Sequence, residues 1–270
     1  MDGERRESHA REQVNAREEL IEVGDLTFRV RSTRSSRPGA EPIVLIHGVG
    51  VSHRYLDRLQ TELTTTHDVY SIDLPGFGGL PKPAESLTVP AMARALAVAL
   101  GRIGIGRATL IGHSMGAQWV VELVAQRPEL AALAVVIGPV CDSRYRTVAA
   151  QSVALAVDSL AEPISGNALV FTDYLRCGPR WYLDQVRQML AYRTDRRVGD
   201  LTMPLLIIRG GNDTIAGMEW CRTLRDRART ASLVTVPGHR HLVQYSAPRT
   251  VASAIREFSA SHLAVSVDRN

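Results

Sequence analysis

Apolar residues along this chain follow two rhythms that take turns. Short, nearly unbroken apolar runs recur at 42–46, 68–72, 108–111, 133–137, 205–208 and 233–236. Runs of this length bounded by turn residues predict strands buried on both faces. Between them, apolar positions repeat at helical spacing over 55–63, 90–100, 117–127, 217–229 and 248–258. Alternating strands and helices predict an α/β fold, with a mainly parallel central sheet covered by helices on both faces. Near the start, residues 20–31 alternate apolar and polar positions around Gly24-Asp25, the pattern of a hairpin. Residues 1–19 are polar and charged and are expected to form an N-terminal tail, a loose helix or a disordered segment.

One interval breaks the rhythm. From 138 to 204 no convincing strand occurs, while amphipathic segments lie at 146–160 and 179–192, separated by Pro163 and Gly166. A structureless loop of that length is improbable inside a compact domain. The interval is therefore expected to be a helical cap inserted at the carboxyl edge of the sheet. The organisation expected is a tail at 1–19, a core in two parts at 20–140 and 201–270, and a cap at 141–200.

Composition narrows the possibilities. The 270 residues are 45% apolar and 22% charged, ordinary values for a soluble globular protein of one large or two small domains. No apolar run approaches the ~20 residues that span a bilayer, and the first twenty residues lack the apolar core of a secretory signal. A cytoplasmic setting and no membrane partner are expected. The net charge of +4 is spread among acids, without a basic stripe interleaved with aromatics, so no nucleic-acid partner is expected. Lys82 is the only lysine, a bias that points to coding composition rather than phosphate binding. Cys141, Cys177 and Cys221 form neither a CxxC pair nor a disulfide framework and are expected to be buried thiols.

The chemistry is concentrated in a few turns. Gly112-His113-Ser114-Met115-Gly116 lies between a predicted strand and a predicted helix, the context of a nucleophile elbow. Its glycines let strand and helix approach closely, and the Met115 amide falls at a helix N-terminus. A serine needs a base, and the base needs an orienting acid. Asp213 ends the turn after 205–208, with Asp142, beyond the preceding strand, as the alternative acid. His241 precedes the apolar pair Leu242-Val243, which would pin its loop, and His239 is the alternative base. His47-Gly48-Val49-Gly50 follows the strand at 43–46, where the Val49 amide can join that of Met115 on a developing oxyanion. No ligand cluster of metal-site spacing occurs, and this chemistry requires no metal or organic cofactor.

Taken in order, five motifs resemble those of the α/β-hydrolase superfamily over about 20–258. They are Ile46-His47-Gly48-Val49-Gly50, Asp73-Leu74-Pro75-Gly76-Phe77-Gly78, Gly112-His113-Ser114-Met115-Gly116, Gly210-Gly211-Asn212-Asp213 and Gly238-His239-Arg240-His241. The resemblance implies an α/β-hydrolase fold with a helical cap and a serine hydrolase acting through an acyl-enzyme. Asp73 belongs to a structural turn and carries no chemistry. Two positions depart from the family pattern: Ala117 replaces a second glycine after the elbow, and Ser246-Ala247-Pro248 lacks the usual acid before the proline. Ser114 in place of an aspartate disfavours dehalogenases and epoxide hydrolases. The cap carries Phe171, Tyr174, Trp181 and Tyr182 with Arg176 and Arg180, in a chain only 5% aromatic. Tyr174, Trp181 and Tyr182 are the candidate substrate contacts, and the expected small-molecule substrate is a medium-sized ester or lactone. Cleavage of a carbon–carbon bond by the same triad stays open, as does a ligand-binding protein with little or no turnover.

Overall fold

A computed structural model describes residues 16–37, 41–142 and 164–263. Eight strands form one sheet: β1 Ala16–Val23, β2 Leu26–Thr33, β3 Ile43–Ile46, β4 Val69–Asp73, β5 Ala108–His113, β6 Ala131–Ile137, β7 Leu205–Gly210 and β8 Ala231–Val236. Their spatial order is β1-β2-β4-β3-β5-β6-β7-β8. β2 pairs antiparallel with β1 and with β4, and every pairing from β4 to β8 is parallel. This is the mainly parallel sheet expected from the apolar runs.

The runs in β3 to β7 are unbroken because those strands bury both faces, whereas β8, at the sheet edge, is only partly buried, contrary to the expectation for 233–236. Val44 and Ile46 of β3 join one apolar cluster with Ala134 and Val136 of β6 and with Leu205 and Ile207 of β7. Their sequence neighbours Ile43, Leu45, Leu133, Val135, Ile137, Leu206 and Ile208 join the other. Two sets of helices cover the two faces. Against the first cluster lie α2 Val89–Arg102, α3 Met115–Gln126 and α7 Met218–Arg227, and against the second α1 Asp57–Thr64, α8 Val243–Ser246 and α9 Pro248–Leu263. Thr88 caps α2 by accepting the Ala91 amide at 3.3 Å, with Pro90 in the first turn.

The hairpin turns at Gly24-Asp25 as its alternation implies, but β1 begins at Ala16, inside the stretch expected as a tail. Backbone pairing to β2 decides this. As an edge strand, β1 has its charged side chains in solvent, which erases the apolar alternation and also discourages edge-to-edge aggregation.

Within the cap interval lie α4 Ile164–Cys177, α5 Pro179–Ala191 and the short α6 Thr194–Arg197. The expected segment at 146–160 and Pro163 fall outside the described residues. Gly166 does not separate helices. It sits within α4, where a Cβ would lie 3.2 Å from the Tyr245 ring and 3.3 Å from Leu242. The break falls instead at Gly178, whose φ of +73° ends α4. Among the described residues no helix is long and apolar enough to cross a membrane.

Candidate active site

Strand register brings the chemistry to one edge. Ile46 stands level with Ile72 and Gly112, His113 with Ile137, Ile137 with Ile208, and Gly210 with Val236. The turns after β3, β5, β6, β7 and β8 therefore open together at the carboxyl end of the sheet, where ligands of open α/β sheets bind.

Ser114 occupies the turn between β5 and α3 with φ 58° and ψ −122°. This positive-φ conformation costs a non-glycine residue about 1–3 kcal/mol and persists only where its surroundings enforce it. Enforcement is visible on both sides. A Cβ at Gly112 would lie 2.2 Å from the Gly116 carbonyl oxygen, and one at Gly116 would lie 2.4 Å from that of Ile46. The Ser114 amide donates to Ile137 O at 2.9 Å, tying the turn to β6. Met115 is the first helical residue, so its amide has no acceptor inside α3.

Asp213 and His241, in the turns after β7 and β8, meet beside Gly138. Asp213 Oδ1 accepts the Ile215 and Ala216 amides, each at 2.8 Å, and Oδ2 accepts from His241 Nδ1 at 3.0 Å. Burial pushes the Asp213 carboxyl up, but His241 and the two amides outweigh it and hold it below the usual carboxylate range. The buried Arg209 guanidinium braces the loop, donating to the carbonyls of Ala216, Asp213 and Gly211 at 2.8, 3.0 and 3.3 Å. Asp142 is also buried, but the Nδ1 of His241 lies on Asp213. The two histidines of the last turn diverge, since His239 Nδ1 sits 2.9 Å from Ser246 Oγ. Leu242 and Val243 are buried behind His241, as their apolar character implies.

Glycines fit these loops together. A Cβ at Gly210 would lie 2.2 Å from Arg240 O, and one at Gly138 would lie 3.0 Å from His241 Cε1 and 3.4 Å from Asp213 Oδ2. On the other side of Ser114, a Cβ at Gly48 would lie 3.0 Å from the Ser114 Cβ, so the loop after β3 runs against the elbow. His47 holds that loop from beneath: Nδ1 donates to Gly48 O at 2.6 Å and Nε2 accepts the Leu74 amide at 3.0 Å. Burial keeps the His47 imidazole below its usual pKa, which preserves the bare Nε2 that this bond requires.

Asp73 serves the neighbouring turn. Its carboxylate accepts the His53 amide at 2.6 Å, His53 Nδ1 at 2.8 Å and Arg29 at 3.0 Å. Burial raises this carboxyl, yet its contacts with His53 prevail and hold it at about 2.

Side chains of α4 and α5 pack against the loops at the same edge. Tyr174 and Tyr182 have ring centroids 5.1 Å apart and lie against Gly50, where a Cβ would be 2.6 Å from the first ring and 2.9 Å from the second. Trp181 faces elsewhere, stacked on Gly76 and edge-on to Phe77 at 6.2 Å. Of the three candidate substrate contacts, two thus adjoin the loop beside Ser114 and one packs on the 76–77 turn. Asp173, buried in α4, accepts from Ser52 Oγ at 2.6 Å and pairs with Arg54 at 3.2 Å. Reading along the chain did not reveal Tyr55, His113, Asp173 or Arg209. Tyr55 with His113, His113 with His241 and Asp173 with Ser52 are contacts between distant segments, and Arg209 donates to nearby backbone carbonyls that no side-chain pattern marks; the local signal is the position of His113 inside the Gly-x-Ser-x-Gly motif.

The buried cysteines stand apart from this chemistry. Burial pushes the Cys177 thiol up to about 11 and that of Cys221 to about 12, leaving both protonated and inert near neutrality. Among the described residues no group of three or more His, Cys, Asp or Glu could hold a metal ion.

Known proteins resemble this chain over most of its length. It is 28% identical over 251 residues to the biotin biosynthesis bifunctional protein BioHC of Cellvibrio japonicus, covering 84% of this chain and 49% of that protein. It therefore spans about half the length of that relative. It is 23% identical over 271 residues to the 2-(acetamidomethylene)succinate hydrolase of Mesorhizobium japonicum, covering 88% of this chain and 93% of the relative. The enol-lactonase structure from Burkholderia xenovorans LB400 superposes with a TM-score of 0.77 at 17% identity, covering 89% of this chain and 99% of the other. The family model described as "Alpha/beta hydrolase family" matches residues 43–254, a span that runs from β3 through the elbow into α9, and the chain belongs to that family.

Proposed function

We propose that this protein is a serine hydrolase that cleaves a small carboxylic ester or lactone through an acyl-enzyme. The observation that carries this reading is the strained Ser114 turn opening onto the edge where His241 Nδ1 is held by Asp213. With Nδ1–H committed to Asp213, Nε2 is the nitrogen left to accept a proton.

In this mechanism Ser114 Oγ attacks the substrate carbonyl carbon while His241 Nε2 takes the hydroxyl proton. Asp213 keeps the imidazole in one tautomer and stabilises the imidazolium. The amides of Val49 and Met115 receive the oxyanion, each such donor being worth roughly 10²–10³ in rate. Collapse expels the alcohol or alkoxide arm, which takes the proton back from His241. Water then attacks the acyl-enzyme with His241 again as base, releasing the acid and restoring Ser114. Tyr174 and Tyr182 would line the acyl pocket beside Gly50, while Trp181, packed on Gly76 and Phe77, would hold the neighbouring turn in place. No metal or organic cofactor takes part. The lactonase and hydrolase names among the similar proteins agree in kind with this reading.

Labelling with a fluorophosphonate, run beside p-nitrophenyl ester turnover, tests it. Wild type should do both, and Ser114→Ala neither. Labelling without ester turnover would favour carbon–carbon cleavage. Neither signal in a folded wild type would favour a binding protein.

A further inference from the structure

Beneath Ser114 a buried chain of hydrogen bonds links three of the loops that form the site. The Gly48 amide lies 2.7 Å from Tyr55 Oη, Tyr55 Oη lies 2.7 Å from His113 Nδ1, and His113 Nε2 lies 2.9 Å from the carbonyl oxygen of His241. Tyr55 and His113 are each 2% exposed, and the ring of His113 is 4.8 Å from that of His241. The two ends fix the direction of every bond. A backbone amide only donates, so Tyr55 Oη accepts from Gly48 and turns its own hydrogen to His113 Nδ1. A carbonyl only accepts, so the His113 proton resides on Nε2.

The three anchored points are those that acyl transfer must hold in register. Gly48 precedes Val49, His113 precedes Ser114, and the carbonyl belongs to His241 itself. On the hydrolase reading above, we propose that Tyr55 and His113 are positioning residues that hold the oxyanion loop and the general base at fixed places about Ser114. Neither residue meets the substrate. Burial, reinforced by the neighbouring His241, pushes the His113 imidazole down to about 3, so the relay keeps one protonation state across the neutral range.

Tyr55→Phe keeps the ring packing but leaves the Gly48 amide and His113 Nδ1 buried without partners. On p-nitrophenyl acetate, well below the melting temperature, kcat should fall ~10- to 100-fold with KM within about twofold, because a misplacement of order 1 Å costs about 10²-fold. Histidine 15N NMR should report a single Nε2–H tautomer for His113 in wild type, and in Tyr55→Phe the same tautomer with the Nδ1 resonance shifted by loss of its hydrogen bond. Should that variant not fold, His113→Gln, which retains a donor toward His241 O, should keep more kcat than His113→Leu. Wild-type kcat in folded Tyr55→Phe or His113→Leu, or an Nδ1–H tautomer in wild type, would overturn the proposal while leaving the hydrolase reading intact. A wild type inert to both ester and fluorophosphonate would overturn that reading and this inference with it.

Discussion

The bond from His241 Nδ1 to Asp213 Oδ2, 3.0 Å long and buried, is the smallest unit on which the proposed mechanism depends. Asp213→Asn preserves shape but can present an amide hydrogen where a carboxylate oxygen stood, favouring the wrong imidazole tautomer. A loss in kcat of about 10⁴-fold with little change in folding is expected, measurable by ester turnover and circular dichroism. His239→Ala should leave turnover within a few-fold of wild type, because its Nδ1 engages Ser246 rather than Asp213. Asp73 gives the residue scale its pH dependence. Its carboxyl titrates at about 2, against an ordinary 3.8. A depressed carboxylate stabilises the fold fully above its unfolded pKa and ceases to do so as pH falls through the folded one. Wild type should therefore lose stability between about pH 4 and pH 2, and Asp73→Asn should show a shallower loss across that window in denaturant titrations.

At the scale of elements, glycines separate positions set by close approach from positions with room to spare. Gly112→Ala should fail to fold or be severely destabilised, since its Cβ would lie 2.2 Å from a backbone oxygen of the adjoining helix. Gly101, exposed near the end of α2, gives the opposite expectation, because a methyl group there would meet nothing within 4 Å. Gly101→Ala should stabilise the protein by about 0.5–1 kcal/mol, read from the thermal midpoint. Much of this level was legible along the chain. Runs such as 43–46 and 133–137 report burial on both faces directly, and the elbow motif places a strand before Ser114 and a helix after it. The start of β1 was not legible, because a charged edge strand is specified by its backbone partner rather than by its own side chains. Gly166 is opaque for a related reason: its small size answers to Tyr245 and Leu242, not to a break in α4.

For the molecule as a whole, the arrangement rests on how sheet, helices and loops are tied to one another. Candidate nucleophile, acid and base were readable because each sits in a turn with its own local signature. The ties between them were not, because Tyr55 to His113, Ser52 to Asp173 and Gly210 to Arg240 are contacts between segments distant in sequence. Asp173 joins α4 to the segment that carries Ser52 and Arg54. Asp173→Asn should weaken that tie and raise amide exchange across α4 and α5 while α2 and α3 remain protected, as followed by hydrogen-exchange mass spectrometry. In the proposed mechanism, acyl transfer through Ser114 underlies all of this chemistry. Acid-quenching the reaction with a p-nitrophenyl ester and mapping the trapped species by mass spectrometry would look for the acyl-enzyme itself. The expected result is one acyl group on the peptide containing Ser114, absent from Ser114→Ala. Turnover that persists in Ser114→Ala, or an acyl group carried by a different residue, would contradict it.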